Sequence, residues 1–227
     1  MNLPNFSEEQ KLWNNGYTLV IGVDEVGRGA FAGPLVASAV ALVPQISNFQ
    51  FPISNEITID DSKRLKPRER EKAGVWIKEN CLAFGIGEVG VATINKMGIG
   101  RATTQAMRLA IGQVLRKLPN HLSKTFVLVD AFHIEYLRGV GFKNQKAIIK
   151  GDQKSISIAA ASIIAKVYRD SLMQRLSKRH SKYRWGVNKG YGTKVHQDAI
   201  RAHGITRLHR VQFVQTFLAS QGLALQG

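Results

Sequence analysis

The chain has 227 residues, 44% of them hydrophobic, which is enough for one ordinary domain with a large core. Lys and Arg number 32 against 16 Asp and Glu, a net charge of +16, so we expect an anionic partner such as nucleic acid. The single cysteine excludes an internal disulfide, and the absence of an apolar run longer than Leu35 to Val43 excludes a membrane span. Residues 1–16 show no secretory signal, so we predict a soluble cytoplasmic protein.

The first half of the chain alternates predicted strands and helices. Two strands rich in Val, Ile and Leu, Tyr17–Glu25 and Leu35–Val43, flank a glycine-rich turn and should form a hairpin. Pro67 and the acids near it favour a helix that runs to Asn80. A third strand is predicted at Leu82–Val91. Apolar residues at helical spacing then predict one helix over Thr93–Leu118.

The second half carries two more strands and a long helix. Thr125–Val129 is predicted as a short buried strand, and a further strand is expected near Ala147–Ile149. Ile156–Lys178 has an apolar stripe typical of a helix that packs on a sheet. We therefore expect an α/β fold with a mixed sheet covered by helices, formed by one domain over residues 1–227. Residues from about 180 to 227 should form its basic helical C-terminal part.

One stretch of the sequence carries unusual chemistry. Asp24 and Glu25 end an apolar, β-prone segment, where unpaired buried charge is costly. Gly27 and Gly29 flank Arg28, so a ligand can approach the backbone closely. A divalent cation would compensate the acids and indicate phosphate chemistry. A tight hairpin with a surface acid pair explains the local pattern equally well.

Two further acids follow predicted strands. Asp130 and Asp152 each come after a β-prone stretch, as Asp24 does, so neighbouring strands can bring the three to one edge of the sheet. Glu25 joins them only if its strand ends or bulges, because adjacent strand residues point to opposite faces. Asp170 competes with Asp152 for the fourth position, but its place in mid-helix beside basic residues favours an ion pair.

The C-terminal part is strongly basic. Residues 175–210 hold ten Lys and Arg and four His against one acid. Tyr183, Trp185 and Tyr191 lie among them, which predicts a surface that tracks a nucleic-acid backbone and offers aromatic platforms. The four histidines match no zinc-site spacing and are interpreted as part of this basic surface: His180, His196, His203 and His209.

The glycine-rich stretch resembles the opening signature of the ribonuclease HII family, which cuts RNA embedded in duplex DNA. The resemblance rests on Asp24 to Gly29 followed by Ala32-Gly33-Pro34. It departs from the family at Ala30, where proline is usual, and we expect the departure to loosen the turn. Further matches extend over most of the chain: Asp61 to Leu65, Ile94-Asn95, Ala102-Thr103, Ala106-Met107, Val129-Asp130, Lys150 to Asp152, Ala160 to Val167, Arg169-Asp170 and Lys189 to Tyr191.

The resemblance implies the ribonuclease H-like fold and a two-metal-ion site. Two divalent ions, Mg²⁺ or Mn²⁺, are expected, and no organic cofactor. A ribonucleotide would be read by the backbone of Gly27, Arg28 and Gly29 and by stacking of Tyr191. Apart from the resemblance, Lys63 is a candidate to hold a phosphate, and a solvated lysine beside a loop is the alternative. Four carboxylates are implied as metal ligands and catalytic groups: Asp24, Glu25, Asp130 and Asp152.

The expected activity is metal-dependent cleavage of RNA–DNA hybrids, and of duplex DNA on the 5′ side of single ribonucleotides, by a monomer. Two alternatives stay open: a non-catalytic basic nucleic-acid-binding protein, and another nuclease of the same fold that acts on branched DNA. The sister family, ribonuclease HIII, is disfavoured because it carries an extra N-terminal domain, whereas 23 residues precede Asp24 here.

Overall fold

The computed structural model describes residues 3–42 and 57–223. The end of the second predicted strand, Val43, lies outside these ranges. The elements, in chain order, are α1 (Ser7–Asn14), β1 (Leu19–Val26), β2 (Leu35–Leu42), α2 (Pro67–Asn80), β3 (Ala83–Val89), α3 (Val91–Met97), α4 (Ile99–Lys117), β4 (Thr125–Asp130), β5 (Gln145–Ile148), α5 (Ile156–Arg179), α6 (Trp185–Asn188), α7 (Lys194–His203) and α8 (Val211–Ala219).

The strands form one mixed sheet in the order β3-β2-β1-β4-β5. β1 and β2 are the predicted antiparallel hairpin, and β3 pairs antiparallel with β2. β4 runs parallel to both β1 and β5. The predicted mixed sheet is therefore confirmed, and the two parallel pairs bring the carboxyl ends of β1, β4 and β5 to one edge.

Alternating side chains divide the sheet into two apolar faces. Leu19, Ile21 and Val23 of β1 pack in the cluster that includes the buried stripe of α4. Val20 lies on the other face, with the apolar residues of α2 and α5. Because the period of a strand is two residues, Asp24 shares the face of Val20 and lies beside α5, whereas Glu25 belongs to the α4 side.

Helix α5 approaches β1 at a glycine. An added Cβ on Gly22 would lie 2.0 Å from the carbonyl carbon of Ser157 and 2.4 Å from the amide nitrogen of Ile158. Both are backbone atoms, which cannot move aside as a flexible side chain can. Any side chain at position 22 would therefore push α5 away from the sheet.

One prediction of local structure was wrong, and one helix was missed. The helix expected over Thr93–Leu118 is interrupted at Gly98, whose φ of 81° ends α3 before α4 begins. Periodicity of apolar residues did not reveal this break, because the apolar stripe continues across it. Helix α1 was not predicted. It is stabilised by a distant contact, in which Glu9 accepts hydrogen bonds from the backbone N–H and the hydroxyl of Ser157 at 2.9 and 2.7 Å.

The C-terminal helices enclose a third apolar cluster, which corrects the prediction of an aromatic surface. Tyr183 and Trp185 are fully buried in it and stack on each other with ring centroids 5.2 Å apart. His196 and His209 are buried with them and are not part of the basic surface. Of the three predicted platforms, Tyr191 alone is partly exposed.

The two buried histidines are neutral members of a hydrogen-bonded chain. Trp185 Nε1 donates to His196 Nε2 at 3.0 Å, so the proton of His196 lies on Nδ1, 2.9 Å from the carbonyl oxygen of Tyr191. Burial lowers the pKa of His196, and burial together with the charge of His196 lowers the pKa of His209 to about 4. This cluster therefore fixes the backbone at Tyr191 from behind.

Within residues 3–42 and 57–223, none of the helices combines the length and the apolar character that crossing a bilayer requires.

We predict that Gly22→Ala lowers the free energy of unfolding by about 3 kcal/mol or more, because the methyl group would overlap the backbone of α5. The control is Gly74→Ala in α2, where the new Cβ would lie at an ordinary 3.5 Å from Val167 Cγ2. That variant should gain about 0.5–1 kcal/mol from helix propensity. Urea unfolding of both variants measures the difference, and equal effects would contradict the packing argument.

Candidate active site

Three acids meet where the parallel strands end. The ladder between β1 and β4 ends at the pair Val23 and Val129, so Asp24 and Asp130 are the next residues of adjacent strands. Asp152 follows β5 in a short 3-10 turn, Gly151–Gln153. The backbone N–H of Gly151 donates to Asp130 Oδ1 at 2.7 Å and ties this turn to β4.

Glu25 reaches the same neighbourhood without a bulge. β1 keeps its regular pairing with β2 through Val26, but on the side of β4 its ladder has already ended at Val23. Burial raises the pKa of Glu25, the guanidinium of Arg28 opposes this shift, and the charge of Asp130 adds to it. The strand thus neither ends nor bulges at Glu25, contrary to the condition set from the sequence, and Glu25 interacts with Asp130 where the pairing with β4 has ended.

The acids repel one another. Burial is the largest cause that raises the pKa of Asp24 well above its usual value, followed by the charges of Glu25 and Asp130. Burial also raises the pKa of Asp130 and, with the charges of Asp61 and Asp130, raises that of Asp152 to about 6. Burial, with repulsion between the acids as the second cause, therefore disfavours the charged forms of these carboxyl groups.

Asp61 is a fifth acid at this edge, and sequence reasoning gave it no role. Its side chain is buried, accepts a hydrogen bond from Gln153 Nε2 at 3.2 Å and is hydrogen-bonded to Asp152. Its other oxygen accepts from the backbone N–H of Lys63 at 2.9 Å. The doubled acid Asp60-Asp61 before Ser62 and Lys63 was the signal that could have identified it.

Lys63 lies near the acids, and their charges act on its ammonium group. Burial lowers the pKa of its ammonium group, but the nearby carboxylates outweigh this effect and the pKa is raised. The ammonium group therefore stays charged at neutral pH. Four carboxylates contribute to this shift: Asp61, Asp152, Asp24 and Asp130.

Asp170 has different partners. Its Oδ1 lies 2.8 Å from Lys166 Nζ, and its Oδ2 lies 4.0 Å from Arg70 Nη2. Asp170 is therefore neutralised by cations of α2 and α5, as expected for an ion pair. The charges that shift the pKa of Asp152 are those of Asp61, Asp130 and Lys63, which favours Asp152 as the fourth carboxylate.

The glycine-rich turn lies next to the acids. Arg28 is exposed, with Nη1 3.9 Å from Glu25 Oε1. Gly27 has a φ of 87°, and a Cβ there would lie 2.2 Å from Arg169 Nε. A Cβ on Gly29 would meet nothing within 4 Å, so Gly29 borders open space. The two glycines thus differ: Gly27 is needed for packing, and Gly29 leaves room for a ligand.

Ala30 and Tyr191 pair as an antiparallel bridge, which places Tyr191 beside the turn. The N–H of Ala30 donates to the carbonyl oxygen of Gly27 at 3.3 Å and closes the turn. Proline has no N–H and could not form this bond. In place of the expected loosening, the departure at Ala30 adds a hydrogen bond to the turn.

The donor set suits a hard divalent cation. Asp24, Glu25, Asp130 and Asp152 offer only carboxylate oxygens, the ligands that Mg²⁺ and Mn²⁺ prefer, and burial first and neighbouring acids second raise the pKa of each. The side chains do not converge on one point: within the described ranges, no three Asp, Glu, His or Cys side chains form a ready-made ion site. The chemistry of the carboxylates thus fits divalent ions, but the side chains are not arranged around a common ion position in this structure.

Solved structures define the class of this fold. The RNase HII in a complex with PCNA from Archaeoglobus fulgidus superimposes with a TM-score of 0.65 at 23% identity, over 86% of this chain and 94% of that chain. The ribonuclease H2 of Pyrococcus horikoshii OT3 gives 0.61 at 22% identity, over 87% and 96%. Bst-RNase HIII in complex with Mn²⁺ gives 0.61 at 20% identity, over 92% and 72%. The protein therefore has the ribonuclease H-like fold.

Sequence relatives narrow the class to a family. The profile of the family Ribonuclease HII matches residues 21–216. The Ribonuclease HII of Alkaliphilus oremlandii is 39% identical over 95% of this chain and 100% of its own length. That of Herpetosiphon aurantiacus is 42% identical over 91% and 93%. The chain belongs to the ribonuclease HII family of hydrolytic endoribonucleases, as its motifs indicated.

We predict that Asp152→Asn stabilises the protein in EDTA in a pH-dependent way. A folded pKa of about 6, against an ordinary value of 3.8, means that this carboxyl supports folding at low pH and loses that contribution as the pH rises through 6. The variant should match the wild type near pH 4 and exceed it at pH 8 by about 1–2 kcal/mol, after allowance for solvent screening.

The matched control for this prediction is Asp198→Asn in α7. Asp198 is exposed, and its hydrogen bond with Lys194 lowers its pKa, so its removal should bring no gain at pH 8. Thermal unfolding between pH 4 and pH 8 measures both variants. A pH-independent difference for Asp152→Asn would show that the pKa of this carboxyl is not raised in the folded protein.

Proposed function

We propose that this protein is a metal-dependent endoribonuclease that cleaves the RNA strand of RNA–DNA hybrids and cuts on the 5′ side of single ribonucleotides in duplex DNA. The products are 3′-hydroxyl and 5′-phosphate ends. The observation that carries the proposal is that Asp24, Asp130 and Asp152 lie at one edge of the sheet beside the exposed residues Arg28 and Gly29. Ligands for hard cations thus adjoin a surface suited to a sugar–phosphate backbone.

The four carboxylates of Asp24, Glu25, Asp130 and Asp152 would hold two divalent ions, Mg²⁺ or Mn²⁺. When bound, such ions lower the pKa of a water and stabilise the leaving 3′ oxygen. Lys63, charged among the acids, would bind a substrate phosphate. The N–H of Gly151 orients Asp130, and the N–H of Glu25 orients Asp24 through a 2.7 Å hydrogen bond. The use of Mn²⁺ in a solved RNase HIII supports the choice of ions.

Recognition of RNA requires contact with the 2′-hydroxyl, because it is the chemical difference from DNA at the sugar. Gly27, Arg28 and Gly29 would contact this hydroxyl and the adjoining phosphates, and Tyr191 would stack at the junction of RNA and DNA. The bridge between Ala30 and Tyr191 supports a joint role, because it holds the turn and the ring in one unit.

The wider role follows from the substrate. The enzyme would begin the removal of ribonucleotides from DNA, working in the cytoplasm as a monomer and as one domain over residues 1–227. The net charge of +16 would draw it to nucleic acid over a long range and make its binding sensitive to salt.

The proposal is tested with a DNA duplex that contains one ribonucleotide, alongside an all-DNA duplex, a branched DNA and an RNA–DNA hybrid. Each is incubated with Mg²⁺, Mn²⁺ or EDTA. We expect a nick on the 5′ side of the ribonucleotide with either metal and none in EDTA or in all-DNA. Tight binding without cleavage would favour the non-catalytic alternative, and cleavage of branched DNA that ignores the 2′-hydroxyl would favour the other nuclease.

We predict that Asp130→Asn reduces turnover on the hybrid by about 100-fold or more, because an amide is a poor substitute for a metal-binding carboxylate. Binding of the duplex should persist, since the loss of one negative charge favours contact with phosphates. Steady-state cleavage and gel-shift affinity measure the two effects. Asp198→Asn, an exposed acid on α7, is the control, and wild-type cleavage by Asp130→Asn would overturn the assignment.

We predict that Tyr191→Ala reduces cleavage at a single ribonucleotide, relative to a long hybrid, by about tenfold, because one stacking platform is lost. Affinity for the duplex should fall less. The control is Tyr136→Ala, which removes a tyrosine that is 89% exposed. If cleavage of both substrates and the affinity fall together, Tyr191 has a structural role.

A further inference from the structure

Two arginine side chains are fully buried behind the glycine-rich turn. Arg210 Nη1 donates to the carbonyl oxygen of Arg28 at 2.9 Å, and its Nε and Nη2 donate to that of Gly33 at 3.1 and 3.0 Å. Arg169 Nε and Nη2 donate to the carbonyl oxygens of Pro34 and Ala32 at 3.0 and 3.2 Å. Both guanidinium groups are thus committed to the backbone of this turn.

Neither guanidinium group forms a salt bridge with a carboxylate among the residues that the structure describes, and the charge of Asp170 only partly offsets the effect of burial on the pKa of Arg169. Burial and the charge of Arg169 lower the pKa of Arg210 to about 9, so the site is unfavourable for charge. A buried cation without a paired carboxylate is costly, and the partners that Arg210 finds are carbonyl oxygens and the ring of Phe213, whose centroid lies 5.6 Å from its Cζ. An apolar side chain would fill the same space at less cost, so the charge at position 210 calls for a functional explanation.

The geometry of the peptide bond supplies that explanation. A trans peptide is planar, and its C=O and N–H point in opposite directions. Because Arg210 draws the carbonyl oxygen of Arg28 inward, the N–H of Gly29 points outward. Gly29 is exposed, a Cβ there would meet nothing within 4 Å, and its N–H has no acceptor in the described part of the chain. The outward N–H is an unused donor beside the acids.

Arg169 connects the turn to the segment that carries Tyr191. Its Nη1 donates to the carbonyl oxygen of Lys189 at 2.9 Å, and its Cζ lies 5.4 Å from the centroid of the Tyr191 ring. The carbonyl oxygen of Gly190 accepts from the N–H groups of Phe31 and Ala32 at 2.8 and 3.1 Å. The two buried cations therefore fix the turn and the tyrosine in one arrangement.

We propose that Arg210 is a positioning residue for substrate recognition: it presents the N–H of Gly29 to an oxygen of the bound sugar–phosphate backbone. The inference rests on the proposed nuclease function and assigns a role to a residue that does not touch the substrate. Lysine at position 210 keeps the charge, but its single nitrogen cannot span the carbonyl oxygens of both Arg28 and Gly33 as the planar fork does.

The first test observes the donor directly in the wild-type protein. Labelling with carbonyl-¹³C arginine and ¹⁵N glycine selects Arg-Gly peptide bonds, and the chain has two, Arg28-Gly29 and Arg138-Gly139. Titration with an RNA–DNA hybrid in EDTA should shift the Gly29 amide signal and leave the Gly139 signal as the internal reference. Absence of a shift at Gly29 would overturn the proposal, whether or not the enzyme cleaves.

The second test compares Arg210→Lys with Val214→Ala, which removes buried side-chain volume from the C-terminal apolar cluster and none of the hydrogen bonds that Arg210 donates to the turn. Arg210→Lys should raise KM for the hybrid about tenfold, leave kcat within about twofold, and lose the shift at Gly29. Val214→Ala should lower Tm and keep wild-type KM. Equal KM values in the two variants would reduce Arg210 to a structural role.

The two proposals fail in different ways. If the wild-type protein binds the hybrid with a Gly29 shift but cleaves nothing, the nuclease function fails and the presented donor stands. If the wild type cleaves and Arg210→Lys keeps both KM and the Gly29 shift, the role of Arg210 fails alone.

Discussion

The contact of α5 with β1 at Gly22 is the constraint on which the other parts depend. Because there is no room for a side chain between the two backbones at Gly22, this contact fixes both the distance of the helix from the sheet and its position along β1. From that position Ser162 hydrogen-bonds the carboxyl of Asp24, and seven residues further on Arg169 reaches the carbonyl oxygens of the glycine-rich turn. One helix thus connects the acids to the surface that adjoins them.

The sequence was a good guide to whatever depends on local pattern. The hairpin, the mixed sheet, α2, α5 and the three acids after strands all follow from periodicity and from the positions where apolar runs end. Predictions from the sequence failed where contacts between distant segments determine whether a side chain is buried. The polarity of Tyr183, Trp185 and His196 indicated a surface, yet each finds its partner within the C-terminal cluster and is buried there.

The site itself was predictable in composition and less so in arrangement. Asp24, Asp130 and Asp152 could be placed because parallel strands end together, but the position of Asp61 depends on contacts with Gln153 and Asp152 that form only in the folded chain. The buried state of Arg169 and Arg210 was equally hidden, since an arginine in a chain of +16 reads as one more surface charge. The sequence alone does not distinguish a buried arginine that holds the backbone of the turn from an arginine on the surface.

The bond between Glu9 and Ser157 also bears on the order in which the chain acquires structure. It closes a loop of 148 residues, and such closures carry a high entropic cost until intervening parts are in place. A chain emerging from the ribosome holds α1 without Ser157 until the start of α5 has been synthesised. The contact of α1 with α5 therefore forms late, although the contacts of Arg210 with the glycine-rich turn span a still longer stretch of 182 residues and must wait longer.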